Sequence, residues 1–307
     1  MQTIKDGILA VHKPEGISSA RVVARVKQVL GAKKIGHTGT LDPFATGLLL
    51  VAVEKATRIS RFFLNSSKHY QARVTLGIET DTYDCTGQTV FKADPAVVKA
   101  ILPGDVTQVV AEFAGIQDQV APSFSALKHK GQPLYKLARK GVMIQKPPRP
   151  IEIFSISVQG KNLPEFELEV HCSGGTYIRS LAHDMGKKLG CGAHLSGLCR
   201  TRSKGFDLKN ALGLADLEKM GPEAIQPFIL PMSQCLSFMP MVTADKGVEK
   251  KIKYGQKLLQ QEIESLLPDA QGSADYIQVV DTSHQLLAVI EPDKNQAFYN
   301  YCCVFMG

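Results

Sequence analysis

Between Gly36 and Gly47 the chain reads GHTGTLDPFATG, a stretch that concentrates three glycines, a histidine and a carboxylate. Glycine permits tight turns and close approach of backbone to a ligand. Asp42 precedes Pro43, which disfavours helical geometry at the residue before it and holds Asp42 extended. A fixed carboxylate in a glycine-lined cleft suits attack on a sugar or base carbon. The same residues also suit an ordinary helix start, with Asp as N-cap and Pro at the first helical position. Spacing alone leaves both readings open. The overlapping run Gly31–Thr38 nearly spells a phosphate-binding loop. However, His37 replaces the lysine before the threonine and the run follows a helix, which excludes a nucleoside triphosphatase. Cys191, His194 and Cys199 lack a fourth ligand, so no metal site is expected.

Charge points to the partner. The chain carries 36 Lys and Arg against 29 Asp and Glu, for a formal net charge of +7. The excess is uneven, because residues 234–307 hold six lysines and nine acids while the preceding part is strongly basic. Two stretches contain cations and no acids at all. Residues 121–150 carry Lys128, Lys130, Lys136, Arg139, Lys140, Lys146 and Arg149, and residues 187–204 carry Lys187, Lys188, Arg200, Arg202 and Lys204. Cations without matching carboxylates favour a polyanion such as nucleic acid. Glycines and a Pro147–Pro150 cluster interrupt the first stretch, which is expected to be a loosely ordered basic clamp. The longest apolar run, Leu48–Val53, is far short of a membrane span, and Lys5 and Asp6 stand where a signal peptide would be apolar. A cytoplasmic protein is expected.

The elements that must position these residues follow from local pattern. Ser18 predicts an N-cap for a helix to Leu30, stopped by Gly31. Gly7–His12, Leu48–Val53 and Lys68–Gly77 read as strands, and 79–84 as a polar loop. Helices are predicted near 95–102, 106–113 and 177–189, strands near 151–158 and 166–171, and a helix capped by Asp207 over 208–220. Strands and helices do not alternate regularly, so an α+β fold with a mixed or antiparallel sheet is expected. Short strands near 276–280, 286–290 and 301–305 suggest a small β-rich second domain. The expected division is 1–233 and 234–307. Removal of the second part is expected to leave the chemistry intact.

GHTGTLDPFATGLL resembles the catalytic signature of the TruB family of tRNA pseudouridine synthases. Further segments agree in order: KPEGISS from Lys13, KHY from Lys68, TDTYD from Thr80, PSFSALK from Pro122, GGTYIRSL from Gly174 and GAHL from Gly192. The resemblance covers roughly residues 5–230, with Phe124 where the family often has Tyr. It implies a pseudouridine synthase catalytic domain followed by a reduced PUA-like module, although that module is net acidic here.

The resemblance also implies roles. Asp42 is the catalytic carboxylate, Arg179 pairs with it, and Tyr70 stacks on the target uracil and assists proton transfer. Tyr177 lines the pocket, His37 holds a flipped base, and Leu198 and Lys13 line the cleft. Lys130, Lys136 and Lys140 of the basic insertion are expected to meet RNA phosphates. The implied reaction exchanges the C1′–N1 bond of a uridine for a C1′–C5 bond. It is neither redox nor hydrolytic, so no cofactor is expected. The expected substrate is the T-arm of tRNA, with position 55 implied by the family, bound by a monomer without guide RNA.

Overall fold

A computed structural model describes residues 4–267, 274–293 and 296–306. Seven long strands and three helices carry the architecture: β1 (Gly7–Lys13), α1 (Ser19–Leu30), β2 (Thr46–Val53), β3 (Lys68–Leu76), α2 (Pro103–Ala111), β4 (Gly115–Gln119), β5 (Arg149–Asn162), β6 (Glu165–Cys172), α3 (Ile178–Lys188) and β7 (Ala193–Ser203). The predicted α1 forms with both its signals in place. Ser18 accepts a hydrogen bond from the Arg21 amide, and Gly31 ends the helix at φ 64°. Left-handed backbone of this kind favours glycine.

The strands form one mixed sheet in the order Leu212–Gly213, β1, β2, β7, β3, β6, β5, β4. Every neighbouring pair from β7 to β4 is antiparallel. The β2–β7 pair is parallel, registered through Thr46 with Cys199 and Gly47 with Arg200. This seam joins the two halves of the sheet. One face packs on helices, with Tyr70, Ala72 and Val74 against Ile178, Leu181 and Met185 of α3, and Leu9, Val11 and Leu49 against Val22 and Val26 of α1. The expected α+β class with a mixed sheet is the observed one.

A five-stranded sheet follows, ordered Met241–Thr243, Ile277–Val280, Leu286–Pro292, Phe298–Val304, Leu258–Leu259. It does not stand apart. Val280, Leu286, Val289 and Phe305 share one core with Ile8, Leu48 and Leu50 of the main sheet, bridged by Met232, Leu236 and Met239. The expected boundary at 233/234 falls inside the short helix Met232–Cys235. Truncation there would uncover leucines whose burial is worth about 1.5–3 kcal/mol each. The second sheet covers the back of β1 and β2, so its removal would expose part of the main sheet's core.

Two other expectations change. The helix predicted over 208–220 is broken, because Leu212–Gly213 pairs with Val11 and His12 of β1, leaving 208–210 and 214–217 as short turns on either side. The basic insertion is also more regular than its charge suggested. A hairpin pairs Lys128 with Pro133, and the helix Leu134–Ala138 buries Leu134 and Ala138.

Candidate active site

The loop that carries Asp42 leaves the strand Ile35–His37 and enters β2 at the parallel seam. Three buried side chains pin it from below. Lys13 donates through Nζ to the carbonyls of Pro14 (2.8 Å), Ile17 (2.7 Å) and Pro43 (3.1 Å). Ser19 Oγ donates to Leu41 O at 2.9 Å and accepts from the Leu41 amide at 2.8 Å. Arg200 donates through Nε to Leu48 O (2.7 Å), through Nη2 to Gly39 O (3.1 Å) and through Nη1 to Thr40 O (3.5 Å). Gly47, at φ 103°, makes room for this arrangement, since a Cβ there would collide with the Arg200 backbone. Buried loop carbonyls thus have side-chain donors, two cations and a hydroxyl among them.

Arg179, in the first turn of α3, is 3% exposed and faces Asp42. Its Nε lies 2.9 Å from Asp42 Oδ2, and Nη2 donates to Oδ1 at 3.3 Å. Nη1 donates to Thr82 O at 2.8 Å and lies 3.4 Å from Asp84 Oδ2, while Nη2 also reaches Phe124 O at 3.0 Å. Asp84 is buried, and its Oδ1 accepts from Thr82 Oγ1 (2.9 Å), the Thr86 amide (2.9 Å) and Thr86 Oγ1 (2.5 Å). The Asp42 side chain keeps a third of its surface open. Desolvation there pushes its pKa above the usual carboxylate range, Arg179 pulls it back, and the Asp84 charge pushes it up again.

Tyr70 stands on β3 directly across from Arg200 of β7, with that guanidinium as its side-chain hydrogen-bond partner. It is buried with Leu41, Phe44 and Ile178, and burial pushes its phenol pKa up. Tyr177 precedes α3, its backbone tied to the Gln119 amide side chain at 2.8 and 2.9 Å, and its ring lies 5.1 Å beneath the Arg149 guanidinium. His37 is half-buried and accepts from the Gly39 amide at 3.4 Å. Burial, and then the nearby Arg200 charge, hold its pKa below the usual value, so the ring is neutral at pH 7. Asp42, Arg179, Tyr70 and His37 therefore meet around one loop.

Other expected site residues sit elsewhere. Lys13 was expected to line the cleft but is 0% exposed, with its ammonium taken up by three carbonyls beneath the loop. Leu198 lines a separate groove of about 400 Å³ with Phe44, Thr46 and Ala72, and neither Asp42 nor Arg179 borders it. Lys130, Lys136 and Lys140 are exposed on the insertion, and among the described residues none has a carboxylate within ion-pair distance. Arg200, from the acid-free stretch 187–204, is 2% exposed and internal rather than on a surface open to a polyanion. Lys68 is a similar case, donating to the carbonyls of Leu64 (3.0 Å) and Ser66 (2.5 Å). Asp84 lay inside a quoted motif, and its burial beside Arg179 was the missing signal.

The site is thus a partly exposed carboxylate clamped by a buried arginine, with Tyr70 in the core beside its loop. Residues 27–178 match the model of the TruB family pseudouridylate synthase N-terminal domain, and 179–237 that of the tRNA pseudouridylate synthase B C-terminal domain. The chain belongs to the TruB family. The tRNA pseudouridine synthase B of Syntrophotalea carbinolica is 44% identical over 250 residues, covering 81% of each chain. That of Thermotoga petrophila is 36% identical over 298 residues, covering 96% of this chain and 93% of the relative. Among solved structures, a Cbf5–Nop10–Gar1 complex aligns with a TM-score of 0.75 at 27% identity, covering 98% of this chain and 85% of that one. No helix among the described residues is long and apolar enough to cross a membrane.

Proposed function

We propose that this protein is a tRNA pseudouridine synthase acting on a uridine of the T-loop, at the position numbered 55 in tRNA. The observation that carries the reading is the Asp42–Arg179 pair, a carboxylate aligned by a guanidinium that is itself fixed by Thr82, Asp84 and Phe124. The target base must leave its stack, at a cost of a few kcal/mol that backbone contacts offset. Asp42 then attacks or stabilises C1′ as the C1′–N1 bond breaks, much as glycosidase carboxylates do. Tyr70 supports the detached uracil while it turns. C5 then bonds to C1′, releasing the Asp42 carboxylate from any bond it has formed there, and as C5 loses its proton N1 gains one. Arg179 keeps Asp42 ionised and oriented. His37 and Tyr177 hold flipped bases, and Lys130, Lys136 and Lys140 meet phosphates. Leu198, in its separate groove, has no part in this reading.

The protein works as a monomer in the cytoplasm without guide RNA. Its identity to bacterial synthases named for tRNA exceeds its identity to the Cbf5 structure, which supports the stand-alone reading. Purified protein and unmodified tRNA carrying tritium at uridine C5 provide the test. Tritium release by the protein alone is expected. Release only after RNA or further proteins are added would replace the stand-alone reading with an assembly. No release under either condition would overturn the enzyme reading.

A further inference from the structure

Arg179 takes two of its partners from a single turn. Nη1 donates to Thr82 O and lies near Asp84 Oδ2, and between those two residues stands Tyr83. Tyr83 has φ 63°, the left-handed region that bulky side chains rarely occupy. Its backbone is held on both sides, with its amide donating to Thr80 O at 3.1 Å and its carbonyl accepting from the Leu195 amide at 3.0 Å. Backbone outliers of this sort persist only where surrounding contacts over-determine them, and they cluster at functional sites.

A further contact on the same residue is aromatic. The Tyr83 ring lies flat on the His183 imidazole, with centroids 4.0 Å apart and planes at 12°. His183 follows Arg179 by four residues on α3, so both side chains rise from the same helix face. Glu79, on the strand entering the turn, holds Oε2 4.0 Å from His183 Nδ1. The turn therefore meets α3 at two points one helical turn apart, a polar one at Arg179 and a stacked one at His183. The backbone bonds to Leu195 and Thr80 hold the turn to β7 and to its own strand, and the two contacts with α3 set its angle to the helix.

We propose that the Tyr83–His183 stack is a brace that aims the Arg179 guanidinium at Asp42, making Tyr83 and His183 positioning residues for the isomerisation. This rests on the proposed reaction. Neither residue touches the reacting atoms in this role. The left-handed backbone is the cost of placing an acceptor on each side of Tyr83 while its ring reaches the helix.

Single-turnover tritium release at saturating enzyme, tRNA affinity and the thermal midpoint separate the brace from mere structural support. Tyr83→Gly removes the ring and relieves the backbone, so folding is expected to hold. Its maximal rate is expected to fall about ten- to hundredfold, the loss that misplacing a catalytic group by about 1 Å brings. Affinity for tRNA should stay within about twofold, since no phosphate contact is lost. His183→Ala should match it, while Tyr83→Phe and His183→Phe, which keep two stacked rings, should recover most of the rate. Wild-type rates in folded Tyr83→Gly and His183→Ala would overturn the proposal. So would rate losses in all four variants that merely follow their thermal midpoints. Wild-type enzyme without turnover would instead overturn the reaction itself.

Discussion

Arg179 touches both of the segments that set this molecule apart, donating to Asp42 in the 36–46 loop and to the Phe124 carbonyl at the root of the 121–150 insertion. Both segments are turn-rich and both depend on cations, yet the cations are used in opposite ways. Around the loop, Lys13, Lys68, Arg179 and Arg200 are buried and spend their donors on carbonyls, with Asp42 and Asp84 at Arg179 alone. On the insertion, Lys130, Lys136 and Lys140 point into solvent. A buried cation with fixed partners cannot reorganise, so it gives the catalytic loop one geometry. An exposed cation is cheap to keep and ready to neutralise a phosphate. On the proposed reading, burial rather than charge separates the framework of the reaction from its grip on the substrate.

Asp42→Asn is expected to make the largest difference to chemistry. Asn keeps size and turn geometry but is a far poorer nucleophile. Turnover should drop by more than about a hundredfold, a barrier rise of at least ~2.7 kcal/mol, with tRNA affinity nearly unchanged. Tritium release and filter binding on the same preparation check both halves. A variant that keeps more than about a hundredth of the wild-type rate would remove Asp42 from the reacting group.

Arg200→Met comes next and attacks the framework side. It removes the side-chain donors to the carbonyls of Leu48 and Gly39, and a buried group that loses its partner costs about 1–3 kcal/mol. Urea unfolding should show a loss of at least ~2 kcal/mol, and the rate should fall in whatever fraction remains folded. A stable, fully active Arg200→Met protein would show that the loop holds itself.

The sequence made the loop, α1, most long strands and the α+β class legible, because each rests on local pattern: Ser18 and Gly31 at the helix ends, and alternation from Lys68 to Leu76. Asp42 and Arg179, 137 positions apart, were paired only through the family resemblance, and the structure brings them into contact. What stayed hidden was set by tertiary burial. Arg200 and Lys130 look alike in a charge count, and only the β2–β7 seam makes one internal. That seam was itself obscure, because β7 mixes cations with small residues and shifts register twice. The shared core behind β1 was equally invisible, since nothing in Met232–Met239 says which sheet it will cover.

On the grip side, replacing Lys130, Lys136 and Lys140 together with Gln should be nearly neutral for stability, within about 0.5 kcal/mol, as exposed substitutions usually are. Affinity for tRNA should fall, and the slope of log affinity against log salt should flatten by up to ~2–3 units, at about 0.7–0.9 per lost phosphate contact. The rate at saturation should hold. An unchanged salt slope would take these lysines out of the RNA interface, and a large loss of stability would show that the insertion is framework after all.

The smallest effect sharpens the comparison from the buried side. Desolvation lowers Lys13 and Lys68 from 10.5 to about 8, with the Arg200 charge adding to the effect at Lys68 and Asp42 opposing it at Lys13. Below about pH 8 both ammonium groups are charged whether the chain is folded or not, and their burial is a constant cost. Between about 8 and 10.5 the unfolded chain still holds these protons while the folded one releases them. Stability must rise with pH wherever the unfolded state binds more protons. Each lysine can add at most about 1.4 kcal/mol per pH unit across that window. Lys13→Met should therefore flatten the rise in urea midpoint between pH 8 and pH 10 relative to wild type. The triple variant of the insertion serves as the control for simple loss of positive charge. If Lys13→Met keeps the full slope, the Lys13 ammonium is better hydrated than its place beneath Pro43 implies, and the loop is held by Ser19 and Arg200 alone.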